Sequence, residues 1–183
     1  SMWAPAPDGT PATEDFVEGA LADCHVGNIS WATVPAYDKT KVNGTPTSMA
    51  DFWDVEQFPG RRGLRKVPRV NLEWALMADG VANEDIYDVL GTKEGQDRAF
   101  AKMDEIKDHV VWWEAGAQPP QLLADGEVVF TTAYNGRLFN AMYVEKKPFE
   151  IMWGPQVFDL DTYVVVKGAP NEAAAMKFLK FCT

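Results

Sequence analysis

Residues 112–137, "WWEAGAQPPQLLADGEVVFTTAYNGR", contain the pattern that best indicates how this chain folds. It joins a short apolar run, a segment that begins with prolines and ends with glycine, a strand-like run and the dipeptide Asn135-Gly136. Asn-Gly between two apolar runs usually marks a β-hairpin. The residues that follow have helical spacing instead, with Leu138 and Met142 on one face. The sequence therefore predicts a strand-to-helix corner at this dipeptide.

The segments on either side extend the same alternation of helices and strands. Helices are predicted over 71–80, 83–90, 118–126 and 171–182, and Ser48 is predicted to cap a one-turn helix that carries Phe52 and Trp53. Four further expectations are a helix within 12–24, a strand over 29–34 that Pro35 stops, an amphipathic helix over 95–110 that buries Phe100, and a strand over 161–169. The alternation predicts an α/β fold with a mostly parallel or mixed sheet flanked by helices.

The predicted corner is a candidate binding site. In an open α/β sheet, ligands bind beyond the carboxyl ends of the strands. At this site Tyr134 would offer an aromatic ring and Asn135 would make a polar contact. The guanidinium of Arg137 could bind a carboxylate with two hydrogen bonds. A tight structural corner, with Tyr134 in the core and Arg137 on the surface, fits the same residues.

A second candidate lies in "WWEAGAQPPQ". Successive residues of a strand face opposite sides, so one of Trp112 and Trp113 is expected in the core while the other lines a surface. Glu114 and Gln118 follow the strand end, where polar groups reach a cleft. Plain solvent exposure is the alternative for Glu114.

Composition excludes several classes of function. The formal net charge is −10 and the sequence pI is about 4.6, so nucleic acid and anionic membranes are not expected partners. The basic run Gly60–Lys66 is either a solvated loop or an anion contact. No apolar run reaches the length of a spanning helix, so no direct membrane insertion is expected. No metal-ligand spacing, nucleotide motif or catalytic set occurs, and no cofactor or enzymatic activity is predicted.

The two cysteines, Cys24 and Cys182, are too few for a disulfide-rich scaffold. They are predicted as free, buried thiols, although a disulfide in an oxidising compartment is the alternative.

Four motifs occur in order: "SMADFWDVEQFPGRRGL", "LEWALMADGV", "GEVVFTTAYNGR" and "VVVKGAPN" before an Ala-rich helix. Together they resemble bacterial extracellular solute-binding proteins of ABC importers, with the spermidine/putrescine-binding type as the nearest pattern. The resemblance implies a type II periplasmic-binding-protein-like lobe, a ligand cleft between two lobes, a periplasmic location after removal of a signal peptide, and a membrane permease as partner. It also implies three segments: 1–35 as a first-lobe remnant with a hinge-crossing strand, 36–153 as the second lobe, and 154–183 as the return into the first.

By the same resemblance, Tyr134 occupies the aromatic place of the strand-end motif, and Trp113 and Trp31 are further candidates for cleft rings. One departure concerns the ligand. Where polyamine binders carry acids, this sequence offers Lys66 and Arg69 and no acid before Glu73. Two basic groups there would repel a polycation, so an anionic or zwitterionic ligand, or a metal chelate, fits them better than a polyamine.

The predicted function is therefore binding of a small polar solute, either polyamine-like or carboxylate-bearing, in a cleft between lobes. An interaction or adaptor domain without a ligand is the alternative, and a carboxylate-based hydrolase is a third. Because a chain that resembles mainly one lobe would leave apolar surface uncovered, a homodimer is also expected.

Overall fold

Helices and strands alternate through the part of the chain that the computed structural model describes, residue 3 and residues 5–182. The strands are β1 (Leu21–Ala22), β2 (His25–Asp38), β3 (Arg62–Arg65), β4 (Val110–Trp113), β5 (Phe130–Tyr134), β6 (Phe149–Ile151) and β7 (Val157–Tyr163). The helices are α1 (Ala12–Asp15), α2 (Met49–Trp53), α3 (Asn71–Ala78), α4 (Ile86–Leu90), α5 (Lys93–Asp104), α6 (Gln118–Asp125), α7 (Asn135–Phe139) and α8 (Glu172–Cys182). Short 3-10 turns cover Asn83–Asp85 and Lys107–His109, and α7 continues as a π-helical turn over Asn140–Val144.

The chain divides into two compact units. The large unit comprises residues 32–157, and the small unit comprises residues 1–31 with 158–183. The assignment of the segments 1–35, 36–153 and 154–183 to lobes stays a prediction.

The large unit contains a mixed sheet with the order β2-β5-β3-β4, and β6 pairs with the remaining side of β2. β3 runs parallel to both β4 and β5, whereas β2 is antiparallel to β5 and to β6. The carboxyl ends of the three parallel strands therefore lie at one edge of the sheet. Ligands bind at such an edge in open α/β sheets.

Helices cover the sheet of the large unit on both faces, because alternate strand residues point to opposite sides. Leu64 and Phe130 belong to one buried cluster, which α2, α3, α4 and α5 complete. Val34 and Ala133 belong to a second cluster, which α6 and α7 complete. Two cores that share one sheet hold the ends of β3, β4 and β5 in place.

The beginning of α2 follows from its sequence. Ser48 accepts a hydrogen bond from the Asp51 backbone N–H at 3.2 Å, and the Asp51 carboxylate accepts from the Ser48 backbone N–H at 2.9 Å. This reciprocal capping box satisfies helix N–H groups that would otherwise lack partners. The predicted one-turn helix with its Ser48 cap is present, and its Phe52 and Trp53 are buried.

Val70 precedes α3 with an unusual backbone conformation. Its φ is +72°, in the left-handed region that favours glycine, and Val70 is β-branched. The side chain of Asn71 supports this turn, since its amide donates to the carbonyls of Arg65 at 2.6 Å and Val67 at 2.8 Å. The segment that joins β3 to α3 is therefore fixed by hydrogen bonds despite its strain.

The prediction that Pro35 ends a strand is wrong, because β2 continues through it to Asp38. Pro35 lies opposite Thr132 of β5, and its carbonyl accepts from the Met152 N–H at 2.9 Å, just beyond the pairing with β6. The Pro35 nitrogen therefore points to the side of β6 just past the last pair of the β2–β6 ladder. No ladder hydrogen bond is lost there, so a residue without an N–H is tolerated.

The amphipathic helix predicted over 95–110 ends earlier, at Asp104, and Phe100 on it is 56% exposed. The buried face carries Gly95 and Ala99 instead. A Cβ on Gly95 would collide with the Val89 carbonyl, so this face packs closely against α4 through small residues. Ile106 is buried beyond the helix end.

The small unit contains α1, β1, β7 and α8, together with the amino-terminal part of β2. The helix expected within 12–24 is limited to α1, and β1 pairs with β2 in a tight antiparallel turn. The strand expected over 161–169 instead ends at Tyr163, whose ring packs edge-on against Phe178 of α8 at 6.0 Å.

The cysteines are free, and both are exposed. Their predicted burial is therefore wrong, while their free state agrees with the prediction. Across residue 3 and residues 5–182, no helix has the length and apolar character needed to cross a membrane.

Candidate functional site

The candidate site lies where β3, β4 and β5 end. Their last residues are Arg65, Trp113 and Tyr134, and the parallel register sets Arg65 beside Trp113. α7 begins directly after Tyr134, so the predicted strand-to-helix corner is confirmed and a hairpin is excluded there.

Three side chains meet at this edge. The rings of Trp113 and Tyr134 pack edge to face, with centroids 5.9 Å apart and an interplanar angle of 86°. The guanidinium carbon of Arg65 lies 5.9 Å from the Trp113 ring centroid and 5.8 Å from that of Tyr134. Both distances allow a cation–π attraction. The half-buried Arg65 is therefore held by two rings that come from two neighbouring strands.

Trp113 is fully buried, with an exposed fraction of 0%. Its neighbour Trp112 is 45% exposed, so the predicted division between the core and a surface is present. Within the described residues, the Trp113 indole N–H has no hydrogen-bond partner. A buried donor without an acceptor costs about 1–3 kcal/mol, which makes this atom unusual in a native core.

The loop after β4 is shaped by Gln118. Its side-chain oxygen accepts hydrogen bonds from the backbone N–H groups of Glu114 at 2.8 Å and Ala115 at 2.7 Å. These two hydrogen bonds fix the loop so that the Gly116 backbone packs directly on the Tyr134 ring. A Cβ on Gly116 would lie 2.7 Å from a carbon of the Tyr134 ring, closer than side chains pack. Tyr134 is thus confined by Trp113, Arg65 and the Gly116 backbone.

Some charged side chains at this edge form an ion pair and others do not. Lys66 forms an ion pair with Glu114 at 3.6 Å, in which both side chains are well exposed. Such surface pairs contribute little stability. Arg65 and Arg137 have no ion pair with any described residue, and Arg137 is exposed on α7. The edge therefore presents more positive than negative charge.

The predicted residues are distributed over both units. Six lie in the large unit at or next to the edge, and Asn135 accepts a hydrogen bond from the Ala32 N–H at 3.4 Å. The six are Trp113, Glu114, Gln118, Tyr134, Asn135 and Arg137. Trp31 belongs to the small unit, where its indole N–H donates to Asp161 at 3.0 Å.

Sequence reasoning missed two residues of this edge, Arg65 and Gly116. Arg65 lies in the basic run Gly60–Lys66, which is neither a loop nor fully solvated, because its middle forms β3 and Arg62 is completely buried. The available signal was the alternation of "RGLR", which puts Arg62 and Arg65 on opposite faces of one strand. Gly116 carried no local signal.

The described residues hold no group of three or more His, Cys, Asp or Glu side chains arranged to bind a metal ion. The edge instead offers aromatic rings, guanidinium groups and amides. Such groups recognise a polar organic solute through stacking, charge and hydrogen bonds.

A family model described as bacterial extracellular solute-binding protein matches residues 1–183. The chain belongs to this family. A relative from Pseudomonas aeruginosa, named gamma-aminobutyric acid-binding protein, is 51% identical over 179 residues, which cover 98% of this chain and 50% of the relative.

Two solved structures show the same fold. MotA from Agrobacterium tumefaciens B6, in complex with glucopine, matches with a TM-score of 0.85 at 37% identity. The match covers 97% of this chain and 55% of the MotA chain. An ABC transporter substrate-binding protein from Bradyrhizobium japonicum has a TM-score of 0.81 at 41% identity, with coverages of 92% and 51%. The chain spans about half the length of these proteins.

These similarities confirm the predicted family of bacterial extracellular solute-binding proteins and the periplasmic-binding-protein-like α/β fold, but not the spermidine/putrescine-binding type. By their names and titles, these relatives are binding proteins and not enzymes.

Proposed function

We propose that this chain is the part of an ABC-importer solute receptor that binds a small solute carrying both a carboxylate and an ammonium group. The observation that carries the proposal is the convergence of Arg65, Trp113 and Tyr134 at the carboxyl edge of three parallel strands. The gamma-aminobutyric acid-binding relative supports this class of ligand, because that compound is a zwitterion of the proposed type at neutral pH.

The proposed roles follow from the geometry. Tyr134 supplies a ring for the ammonium end, and the rim carboxylate of Glu114 supplies a counter-charge. Arg137 and Asn135 bind polar or anionic groups of the ligand from α7. Trp113 backs the Tyr134 ring from the core, and Gln118 keeps its amide N–H groups for the ligand while its oxygen closes the loop. Trp31 stays a predicted cleft ring.

A polyamine is the second ligand class, and the charges disfavour it. Arg65, Lys66 and Arg137 lie at or beside the edge, whereas Glu114 is the acid that accompanies them in this loop. Like charges near a binding site weaken a cationic ligand, and the effect grows as the site loses water.

The cellular setting is proposed from the family. Delivery of the solute to a membrane permease and a periplasmic location are properties that a receptor of this kind requires. An adaptor domain without ligand is the competing function, and a carboxylate-based hydrolase is the third. Homodimer formation stays a prediction, motivated by exposed apolar side chains of the small unit such as Val166 and Phe181.

Substitution of Tyr134 tests the proposal. Calorimetric titration of the chain with γ-aminobutyrate should show binding that Tyr134→Ala weakens about tenfold or more, because the ring contact is lost. Tyr87→Ala is the matched control, since Tyr87 is an exposed tyrosine on α4, away from this edge. Equal affinity of Tyr134→Ala and the unmodified chain would remove Tyr134 from the site, and no binding to the unmodified chain would contradict the proposed ligand class.

A further inference from the structure

We infer that Arg65, together with the indole N–H of Trp113, is the group that receives the carboxylate of the ligand and excludes polycations. This inference rests on the proposed function and assigns the specificity of the same site to residues that sequence reasoning did not select.

Arg65 is placed to receive a ligand group. It ends β3 at the carboxyl edge, beside Trp113 in the parallel register, and its guanidinium lies within 6 Å of two ring centroids. A cation–π attraction uses the charge of the guanidinium but none of its five N–H donors. The group is therefore fixed in place while its hydrogen-bonding capacity stays available.

Arg65 is half-buried and has no ion pair with any residue of the described chain. By contrast, Arg98 pairs with Asp79, and Arg62 donates to three carbonyls. A partly desolvated guanidinium without an anion is unfavourable unless something else supplies the negative charge. A carboxylate matches the fork of Arg65 and would supply that charge.

The Trp113 indole N–H is buried and lacks an acceptor within the described residues, although the ring contacts the same guanidinium. A carboxylate carries two acceptor oxygens, so one can meet Arg65 while the other, directly or through a bound water, meets this donor. One ligand group thus accounts for both unsatisfied features.

The inference also explains selectivity. A diamine or longer polyamine brings two or more positive charges to the cationic guanidinium of Arg65. A zwitterion brings one charge of each sign, and its ammonium can point away from Arg65. Arg65 would therefore reject polyamines by repulsion as well as favour carboxylates by attraction.

The test uses three probes on the 183-residue chain: γ-aminobutyrate, its methyl ester and putrescine. Arg65→Gln should weaken γ-aminobutyrate binding about tenfold or more, and should change the affinity for the methyl ester about twofold or less. The same variant should bind putrescine more tightly than the unmodified chain does, because the repelling charge is gone. Arg65→Lys keeps the charge but loses the planar fork of the guanidinium. Its affinity for γ-aminobutyrate should therefore lie between that of the unmodified chain and that of Arg65→Gln. Arg61→Gln is the matched control, because Arg61 is an exposed arginine at the other end of the same basic run.

A second readout reports the indole donor directly. In 15N-labelled protein, the Trp113 indole resonance, assigned by its loss in Trp113→Phe, should move on addition of γ-aminobutyrate and stay in place with the methyl ester. The shift should disappear in Arg65→Gln, whose spectrum also shows whether this variant is folded.

The outcomes separate the two levels of the argument. If γ-aminobutyrate binds the unmodified chain and Arg65→Gln with equal affinity, the inference is overturned while the proposed function stands. If the methyl ester loses as much affinity as γ-aminobutyrate in Arg65→Gln, Arg65 does not read the carboxylate and the inference is again overturned. If no probe binds the unmodified chain, the proposed function fails and the inference fails with it.

Discussion

β3 begins and ends with an arginine, and the two side chains differ in burial and in the groups that surround them. Arg62 begins the strand and is fully buried, and it donates to the carbonyls of Phe52 at 2.9 Å, Gly60 at 2.6 Å and Asp54 at 2.9 Å. Its guanidinium also lies 5.0 Å from the Phe130 ring centroid. Arg65 ends the strand half-buried, between two rings and without an ion pair in the described chain.

The difference lies in the acceptors that surround each guanidinium. Burial lowers the pKa of Arg62 to about 10, and the nearby Asp54 charge opposes that shift only in part. The three carbonyls accept from Arg62 inside the protein, so it joins the end of α2 to β3, and its complete burial keeps it away from a ligand. Arg65 has rings in place of carbonyls. Arg62 is thus structural because the chain supplies its acceptors, whereas the half-buried Arg65 is the proposed binding group because the chain does not.

The largest effect should come from removing Arg62. Arg62→Met would leave three carbonyls without their donor and should lower the free energy of unfolding by about 3–5 kcal/mol, measured by urea denaturation. Arg65→Met is the matched control and should change stability by about 1 kcal/mol or less, since a cation–π contact is what it loses. Equal losses in the two variants would contradict the division of roles between the two arginines.

A smaller effect is expected where Gly116 meets Tyr134. Gly116→Ala introduces a Cβ that must displace the ring or the loop, so it should cost about 1–3 kcal/mol of stability and also weaken γ-aminobutyrate. Gly136→Ala, whose Cβ would meet no atom within 4 Å, provides the control and should leave stability nearly unchanged. If Gly116→Ala binds γ-aminobutyrate normally, the confinement of Tyr134 does not matter for the site.

The smallest effect concerns the other end of α2. Burial tends to raise the pKa of Asp51, but hydrogen bonds from the Thr47 and Ser48 backbone and the Ser48 hydroxyl outweigh it and hold the pKa below 3.8. A carboxylate with a lowered pKa stabilises the folded state above its unfolded pKa, and this contribution is lost as pH falls through the folded value.

Asp51→Asn should therefore reduce the free energy of unfolding by about 1 kcal/mol near neutral pH, and the gap to the unmodified chain should close as the pH falls below about 3.8. The measurement is urea denaturation across this pH range, with the exposed Asp88→Asn as control. The contribution of Arg62 at the other end of α2 should not change in acid. A gap that stays constant down to low pH would show that the Asp51 charge does not stabilise the cap.

Local patterns were enough to predict the corner and the capped helix. The change from strand to helical spacing after Gly136, and Ser48 three residues before Asp51, are both contained in short stretches of sequence. Motifs spread over the chain were enough to predict the family and its fold.

What local patterns missed depends on partners distant in sequence. Pro35 is compatible with β2 only because the β6 ladder ends beside it, and Phe100 is exposed because small residues make the α5 contact with α4. The role proposed for Arg65 depends on rings supplied by β4 and β5. A residue's own segment does not show which side chains approach it from neighbouring strands.

The backbone at Val70 bears on how this edge can change over evolutionary time. A β-branched residue in the left-handed region holds the chain below its attainable stability, and glycine would adopt the same conformation without the side-chain clash. Many substitutions that reshape a binding surface also destabilise the fold. Position 70 lies between β3, which supplies Arg65, and α3, so a single exchange there could compensate for new ligand contacts on the neighbouring strand ends.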